Sequence, residues 1–275
     1  MEPVRPEPVR PEPAGPPSFS RVAIIGHGLI GGSIALATAE RLPGATVVTL
    51  DRADDLHAAA DADLVVLATP IGQIIELLPR LASVISAATL VTDTGSTKAA
   101  IIRAAGTMRF VGGHPIAGAA VAGRAAARAD LFAGRRWILT PVNASDPTDL
   151  ARLEHFVASL GARTQLLTAE EHDRLFAFLS HLPQLVVTAL MDVVGSEVGE
   201  DGLVLAGPGL RDTTRLATSP PGIWRDIVRT NDEQVRSALD ALICALTALR
   251  DDEDGQVLGR AFESARRWKA SLEKW

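Results

Sequence analysis

The 275-residue chain holds a single cysteine, Cys244, which excludes an intramolecular disulfide framework and any cysteine cluster for zinc. It has no excess of positive charge. Its 27 Lys and Arg stand against 33 Asp and Glu, a formal net charge of −6 with a pI near 5.5, which argues against a general nucleic-acid binder. The N-terminal residues lack the continuous apolar stretch of a signal peptide. A clean membrane span is missing as well. Val22 to Ala39 is mostly apolar but carries His27 and four glycines, and Leu182 to Gly195 is interrupted by Gln184 and Asp192 and is too short to cross a bilayer. These absences predict a cytoplasmic protein with no membrane or nucleic-acid partner.

With 47% hydrophobic and 22% charged residues, the composition is that of a globular protein, long enough for one or two domains with a sizeable core. Residues 2–13 read Glu-Pro-Val-Arg-Pro twice and then Glu-Pro. So much proline and charge cannot bury a core, and residues 1–19 are expected to form a disordered, proline-rich tail.

The following stretch, Val22-Ala-Ile-Ile-Gly-His-Gly-Leu-Ile-Gly-Gly-Ser-Ile-Ala-Leu36, organises the chain. Four apolar residues read as a buried strand. Gly26, Gly28 and Gly31 then fall at G-x-G-x-x-G spacing, with Leu29 and Ile30 between them as further candidate cofactor-binding residues, and an apolar helix begins without a break. In that context the spacing is a dinucleotide fingerprint. The first glycine allows the tight turn, the second lets a pyrophosphate approach the backbone, and the third lets helix and strand pack closely. The helix N-terminus offers unpaired N–H groups and a positive dipole end to the phosphates.

Ala45 to Leu50 reads as the second strand and delivers Asp51, 20 positions after Gly31, where the fold uses a carboxylate on the adenosine ribose hydroxyls. An acid here favours NAD over NADP; Arg52, which follows it, keeps NADP open. Asp63 to Pro70 is another strand, with Thr69, Pro70 and Ile71 at the end where ligands of open sheets bind. Leu90–Asp93 is the next strand. Ser96, in the turn that follows, is a candidate helix cap and a candidate site residue. Arg109–His114 and Trp137–Pro141 continue the strands, Ser145 or Asp146 caps a helix with Pro147 in its first turn, and Ala162–Leu167 closes the series. The alternation predicts an α/β fold, an N-terminal Rossmann-like doubly wound, mostly parallel sheet over 20–168.

From Ala169 the period becomes helical. Glu170–Glu197 is one apolar stretch with a break expected near Pro183. Trp224–Leu249 carries a stripe of Ile227, Val228, Val235, Leu239, Leu242, Ile243 and Leu246, and a third helix covers roughly Gly255–Trp275. This is more apolar helix than a small domain can bury alone. Residues 169–275 are therefore expected to form an all-α C-terminal domain that dimerises with a second copy.

The reaction must be read from groups able to meet the nicotinamide. His114 ends a strand within Gly112-Gly-His-Pro-Ile-Ala-Gly118, where glycines allow close ligand approach. A histidine there can take a hydroxyl proton as the carbon gives up hydride. His172 and His181 lie nine residues apart, out of phase on a helix, so no metal site is expected. In Gly207-Pro-Gly-Leu-Arg-Asp-Thr-Thr-Arg-Leu-Ala217 an arginine can clamp a carboxylate or simply pair with Asp212.

The ordered set Gly-His-Gly-Leu-Ile-Gly-Gly, Asp93-Thr-Gly-Ser-Thr-Lys98, Gly-Gly-His-Pro-Ile-Ala-Gly, Ser180-His-Leu-Pro and Arg-Asp-Thr-Thr-Arg215-Leu-Ala…Trp224 resembles the prephenate/arogenate dehydrogenase family of tyrosine biosynthesis, from about residue 20 to 275. The resemblance implies a Rossmann domain followed by a helical dimerisation domain, and no appended regulatory or mutase domain is expected. It also implies NAD(P)-dependent oxidative decarboxylation of prephenate or arogenate. His114 would bond the 4-hydroxyl with Ser96 beside it, Arg215 would bind a substrate carboxylate, and Ser180 and His181 would lie on the substrate-side helix. Gln184 stands where the family often has a second histidine, and a neutral amide there favours arogenate or dual use. Ala120 stands where many members have glutamate. Two other readings remain at this point. One is a relative acting on 4-amino-4-deoxyprephenate or another β-hydroxy acid; the other is a non-catalytic NAD-sensing dimer.

Overall fold

The computed structural model describes residues 19–118, 123–142 and 146–274; the proline-rich repeats, Ala120 and Ser145 lie outside them. The chain forms two compact units. The first comprises the described residues up to Phe176 together with Pro220–Asn231, and the second comprises Ala177–Ser219 and the residues from Asp232 onward.

The first unit begins β1 (Arg21–Ile25), α1 (Leu29–Arg41), β2 (Thr46–Leu50), β3 (Leu64–Leu67), α2 (Ile71–Ala82), β4 (Leu90–Asp93) and α3 (Ala99–Ala105). It continues β5 (Phe110–Pro115), β6 (Arg136–Pro141), α4 (Pro147–Ser159), β7 (Arg163–Leu166) and α5 (Ala169–Phe176). The strands form one sheet in the order β2-β1-β3-β4-β5-β6-β7, parallel throughout except where β5 meets β6. This is the Rossmann-like doubly wound sheet. Its central strands are apolar on both faces, as parallel strands between two helical layers must be; β3 and β4 are buried at every residue, whereas the edge strand β7 is largely exposed. Alternate residues feed two cores. Val22 and Ile24 join Ile34, Trp137 and Phe156 on one face, while Ala23 and Ile25 join Ile74, Leu78, Ile101 and Phe110 on the other. The order reverses between β1 and β3, so the crevice beyond their C-terminal ends, where this fold binds ligands, is framed by the loops after Ile25 and Leu67.

The second unit is helical. A π-turn (Ala177–His181) leads without interruption into α6 (Leu182–Leu203), then α7 (Pro208–Thr213) and a 3₁₀ turn (Arg215–Thr218) follow. After α8 (Pro221–Thr230), which clusters with the sheet unit, come α9 (Asp232–Arg250) and α10 (Gln256–Leu272).

Three local expectations change. The helix does not end at Pro183: the π-turn of Ala177–His181 lies just before it, and helical geometry continues through both. The resulting helical run, Ala169–Leu203, is 35 residues long and apolar enough to cross a membrane by length and composition, so brevity does not set it apart from a span. The stripe expected as one helix from Trp224 to Leu249 is two helices, because the backbone leaves helical geometry at Asn231 (φ −130°, ψ 34°). Ser96 does not cap α3: its N-cap is Lys98, with no side-chain cap from within the turn, and the carboxylate of Asp173 takes that place.

Candidate active site

The glycine loop closes as its spacing requires. Gly26 has φ 109°, and a Cβ there would lie 2.6 Å from the Ala68 backbone. A Cβ on Gly31 would come within 1.9 Å of the Gly26 carbonyl oxygen. Gly28 differs, since a Cβ on it would meet nothing within 4 Å. This glycine therefore answers to no protein neighbour and leaves the backbone open at the start of α1, whose N-terminus has no side-chain cap. Open backbone, uncapped N–H groups and a positive helix end are what a pyrophosphate needs.

Beside the loop, a cleft of about 200 Å³ is lined by Ile25, Asp51, Arg52, Thr69, Gln73 and Arg80, among others. Asp51 lies at the end of β2, with one carboxylate oxygen accepting from the Arg52 backbone N–H at 2.8 Å. The cleft thus holds the expected carboxylate together with two guanidinium groups. Thr69 packs against Gly26, while Pro70 caps and Ile71 opens α2. The backbone N–H of Gly72 donates to Asp226 of α8 at 3.1 Å, so a helix 154 residues downstream fixes the start of α2. These residues fit a dinucleotide.

At the same sheet edge, Asp93 and Lys98 form an ion pair with both side chains fully buried. Asp93 also accepts the backbone N–H groups of Gly95 (2.7 Å) and Gly113 (3.0 Å), and the Lys98 ammonium donates to the Gly113 carbonyl at 2.6 Å. Burial pushes the Lys98 pKa down and Asp93 works against that shift. The two glycines before His114 serve this packing. A Cβ on Gly112 would stand 2.2 Å from the Thr140 hydroxyl and 3.2 Å from the Lys98 stem, and one on Gly113 would stand 2.5 Å from the Asp93 carbonyl oxygen. The sequence suggested that they make room for a ligand; they make room for the protein.

His114 is half-buried near the end of β5, where its Nδ1 lies 2.9 Å from Nε2 of His172, and His172 Nδ1 lies 2.8 Å from a carboxylate oxygen of Asp173. Phe176 packs against both imidazoles, with ring centroids 4.8 Å from His114 and 4.4 Å from His172. Burial lowers the His172 pKa, opposed chiefly by its hydrogen bond to Asp173, so this ring stays neutral at pH 7. Ser96 is half-buried in the turn between β4 and α3.

The remaining expected residues belong to the second unit. His181 is buried at the end of the π-turn and Ser180 precedes it half-buried. Gln184 is buried, donating from Nε2 to the Leu216 carbonyl (2.8 Å) and the Thr188 hydroxyl (3.2 Å) and accepting from the Ser219 hydroxyl (3.1 Å). Its amide therefore braces the turn that carries Arg215. Of the two hydrogen bonds its Oε1 can accept, Ser219 supplies one. Arg215 itself is exposed and makes no ion pair with Asp212 among the described residues.

The sequence did not single out Lys98 and Asp93 as a buried pair, Asp173 as an acceptor, or Asp226 as the cap of α2. Lys98 and Asp93 flank one strand–helix turn, which was the available signal. For Asp173 and Asp226 the partners lie 75 and 154 residues away, and no local signal announces them.

A dinucleotide loop, an acid after β2 and a histidine at the C-terminal edge of the sheet define a nicotinamide-dependent dehydrogenase followed by a helical unit. The family is narrower. The model of the prephenate dehydrogenase nucleotide-binding domain matches residues 27–166, and that of the prephenate dehydrogenase dimerization domain matches residues 168–258. The chain belongs to the prephenate dehydrogenase family. It is 33% identical over 280 residues to a prephenate dehydrogenase of Bacillus subtilis, covering 91% of this chain and 76% of that one. Two solved structures superpose on it. Synechocystis arogenate dehydrogenase has TM-score 0.78 and 28% identity, covering 92% and 99% of the two chains. The Aquifex aeolicus prephenate dehydrogenase in complex with hydroxyphenyl propionate and NAD+ has TM-score 0.80 and 27% identity, covering 93% and 96%.

Proposed function

We propose that the protein catalyses the NAD-dependent oxidative decarboxylation of prephenate, arogenate or both, giving 4-hydroxyphenylpyruvate or tyrosine, with His114 handling the 4-hydroxyl proton. The observation that carries this reading is His114 itself: a half-exposed imidazole near the end of β5, held by a buried histidine, in the unit that bears the dinucleotide loop. The matches to prephenate and arogenate dehydrogenases over nine-tenths of the chain support the substrate class.

NAD+ supplies the hydride acceptor for C4 of the ring. Gly26, Gly28 and Gly31 would hold its pyrophosphate at the start of α1, and Asp51 its ribose hydroxyls, with Thr69, Pro70 and Ile71 towards the nicotinamide. His114 Nε2 takes the proton of the 4-hydroxyl, so that C4 becomes a carbonyl carbon as its C–H pair leaves. The carbon–carboxylate bond at C1 then breaks, its electron pair enters the ring, and CO2 departs. The proton held by His114 returns to the phenolate oxygen, leaving no net proton released. Aromatisation drives the bond cleavage, so the protein need only orient the ring and manage one proton. Ser96 would bond the same hydroxyl, and Arg215 would offer a fork-shaped cation to a substrate carboxylate. Ser180 and His181, at the end of the π-turn, would lie on the substrate side of the helix.

The second unit supports a homodimer. Leu190, Val193, Ile243, Leu246, Phe262 and Trp268 are all exposed on α6, α9 and α10, and apolar surface of that extent marks an interface. The dimerization-domain match supports a second copy of the chain as the occupant rather than lipid. A cytoplasmic location suits the exposed, unpaired Cys244.

The test is direct. Purified protein with NAD+ or NADP+ is given prephenate and arogenate separately and followed at the reduced-nicotinamide absorbance. Turnover with NAD+ and at least one of the two is expected. Failure with both substrates, at cofactor concentrations shown to bind, would leave only the NAD-sensing dimer or a dehydrogenase for another β-hydroxy acid.

A further inference from the structure

We infer that His172 and Asp173 are positioning residues that fix the tautomer of His114, leaving the lone pair on the nitrogen that faces the substrate. The inference rests on the proposed role of His114 as the base.

The hydrogen-bond chain has a forced direction. Asp173 is itself an acceptor: one carboxylate oxygen takes the backbone N–H of Lys98 (2.7 Å) and lies 2.8 Å from His172 Nδ1, while the other takes the N–H of Ala99 (2.9 Å). A carboxylate in that position makes His172 Nδ1 the donor. In a neutral imidazole the lone pair then belongs to Nε2, the atom 2.9 Å from His114 Nδ1. His114 must therefore donate from Nδ1, and in the neutral ring its own lone pair lies on Nε2. Free histidine in water prefers the opposite tautomer, with hydrogen on Nε2, in which the reacting nitrogen cannot accept a proton. The protein thus holds the minor form.

The surroundings keep the chain in this state. Phe176 stacks on His172 at 23° between ring planes and tilts against His114, which limits rotation of either ring. Asn231 donates to the Asp173 backbone carbonyl at 2.8 Å, anchoring the acid from α8. The charged groups around His172 are Asp173 on its own helix, Lys98 at the start of α3 and Asp93 on β4. Burial and the Lys98 cation disfavour a protonated His172, whose Nε2–H would turn His114 the wrong way. No proton travels along the chain: when His114 Nε2 takes the hydroxyl proton, its Nδ1–H still donates to His172, now as a stronger, charge-assisted bond.

The experiment is nitrogen-15 NMR of the full chain, with its six histidines labelled, read beside steady-state kinetics. Neutral His114 in the wild type is expected to carry hydrogen on Nδ1. In His172→Leu the Nε2–H form should take over, kcat should fall by about 10²-fold, and the acid limb of the kcat profile should move to lower pH, because the imidazolium loses its acceptor. NAD+ affinity should hold. His172→Gln, whose amide oxygen can replace the lost acceptor, should recover part of kcat and of the Nδ1–H form, which simple loss of packing would not allow. An Nε2–H tautomer for His114 in the wild type, a measurement that needs no variant to fold, overturns the inference. So does an unmoved tautomer and acid limb in His172→Leu. His114→Asn separates the two levels: full turnover in that variant defeats the base itself, whereas an inactive His114→Asn with an Nε2–H wild type defeats only the positioning role.

Discussion

In the sheet unit, large apolar side chains are buried on both faces of the strands, and the buried charges of Asp93 and Lys98 are paired and bonded to backbone. In the helical unit the buried apolar residues are few and small, namely Ala177, Val187, Val235 and Ala238, while Leu179, Val193, Ile243, Phe262, Trp268 and Leu272 are more than half exposed. One unit buries its large apolar side chains; the other leaves most of them exposed. The contrast teaches that the two bear on activity differently. The first supplies a site whose buried charges are already paired, and the second leaves a broad apolar surface open, the one we assign to a second copy.

The largest effect on this contrast should come from Lys98→Met, which keeps the stem and removes the cation, leaving the Asp93 carboxylate buried without its partner. Denaturant unfolding should show a loss of about 3–5 kcal/mol, carried by the sheet unit, with helical content of the second unit retained at intermediate denaturant. A single unshifted transition would show that the pair contributes nothing. Arg215→Ala should act on the other side. Its guanidinium is exposed and not needed for folding, so stability should stay within about 0.5 kcal/mol. KM for prephenate or arogenate should rise by an amount worth about 1.5–3 kcal/mol, the range for a hydrogen bond to a charged group; an unchanged KM would remove it as the clamp. Leu246→Asp combined with Phe262→Asp should break the association of copies, read as a halved mass by light scattering, while NAD+ binding by the first unit persists. A dimer that survives both charges would place the interface elsewhere.

The smallest expected effect is on pH dependence. The folded-state pKa of His172 lies below its ordinary value of 6.5, so the unfolded chain binds the proton more readily. Its contribution to stability is full above pH 6.5 and is lost as pH falls from there through the folded pKa. Thermal melts between pH 7 and 5 should therefore fall more steeply for the wild type than for His172→Leu, the difference isolating this one ring.

The sheet and the cofactor half of the site were legible because their signals are local. Val22–Ile25 and Leu64–Leu67 are continuous apolar runs, and the spacing of Gly26, Gly28 and Gly31 carries steric demands met within a few residues. His114 could be picked out because it ends a strand. What supports it could not. His172 and Asp173 are neighbours on one short helix, and nothing in Glu-Glu-His-Asp says that the histidine faces β5 while the acid bonds the start of α3. The glycines at 112 and 113 were misread for a related reason: their tight neighbours, Thr140, Lys98 and Asp93, come from three other elements. The break at Asn231 was hidden because the apolar stripe runs through it, yet Ile227 before it joins the sheet unit's core while Val235 beyond it is buried in the helical unit.

The return of α8 to the sheet unit bears on how the chain is made. Asp226, whose carboxylate closes the start of α2, is synthesised more than 150 residues after the N–H it receives, and Asn231, which anchors Asp173, comes later still. The segment Ala177–Ser219 of the other unit leaves the ribosome in between. A nascent chain halted after β7 would have all seven strands but neither acid, with the first turns of α2 and α3 holding unpaired donors. Folding of the nucleotide-binding unit thus cannot be finished before Ala177–Ser219 of its neighbour has been synthesised. Slowing translation across Ala177–Ser219 should prolong the interval in which a protease can reach the sheet, although every residue of the sheet is already present.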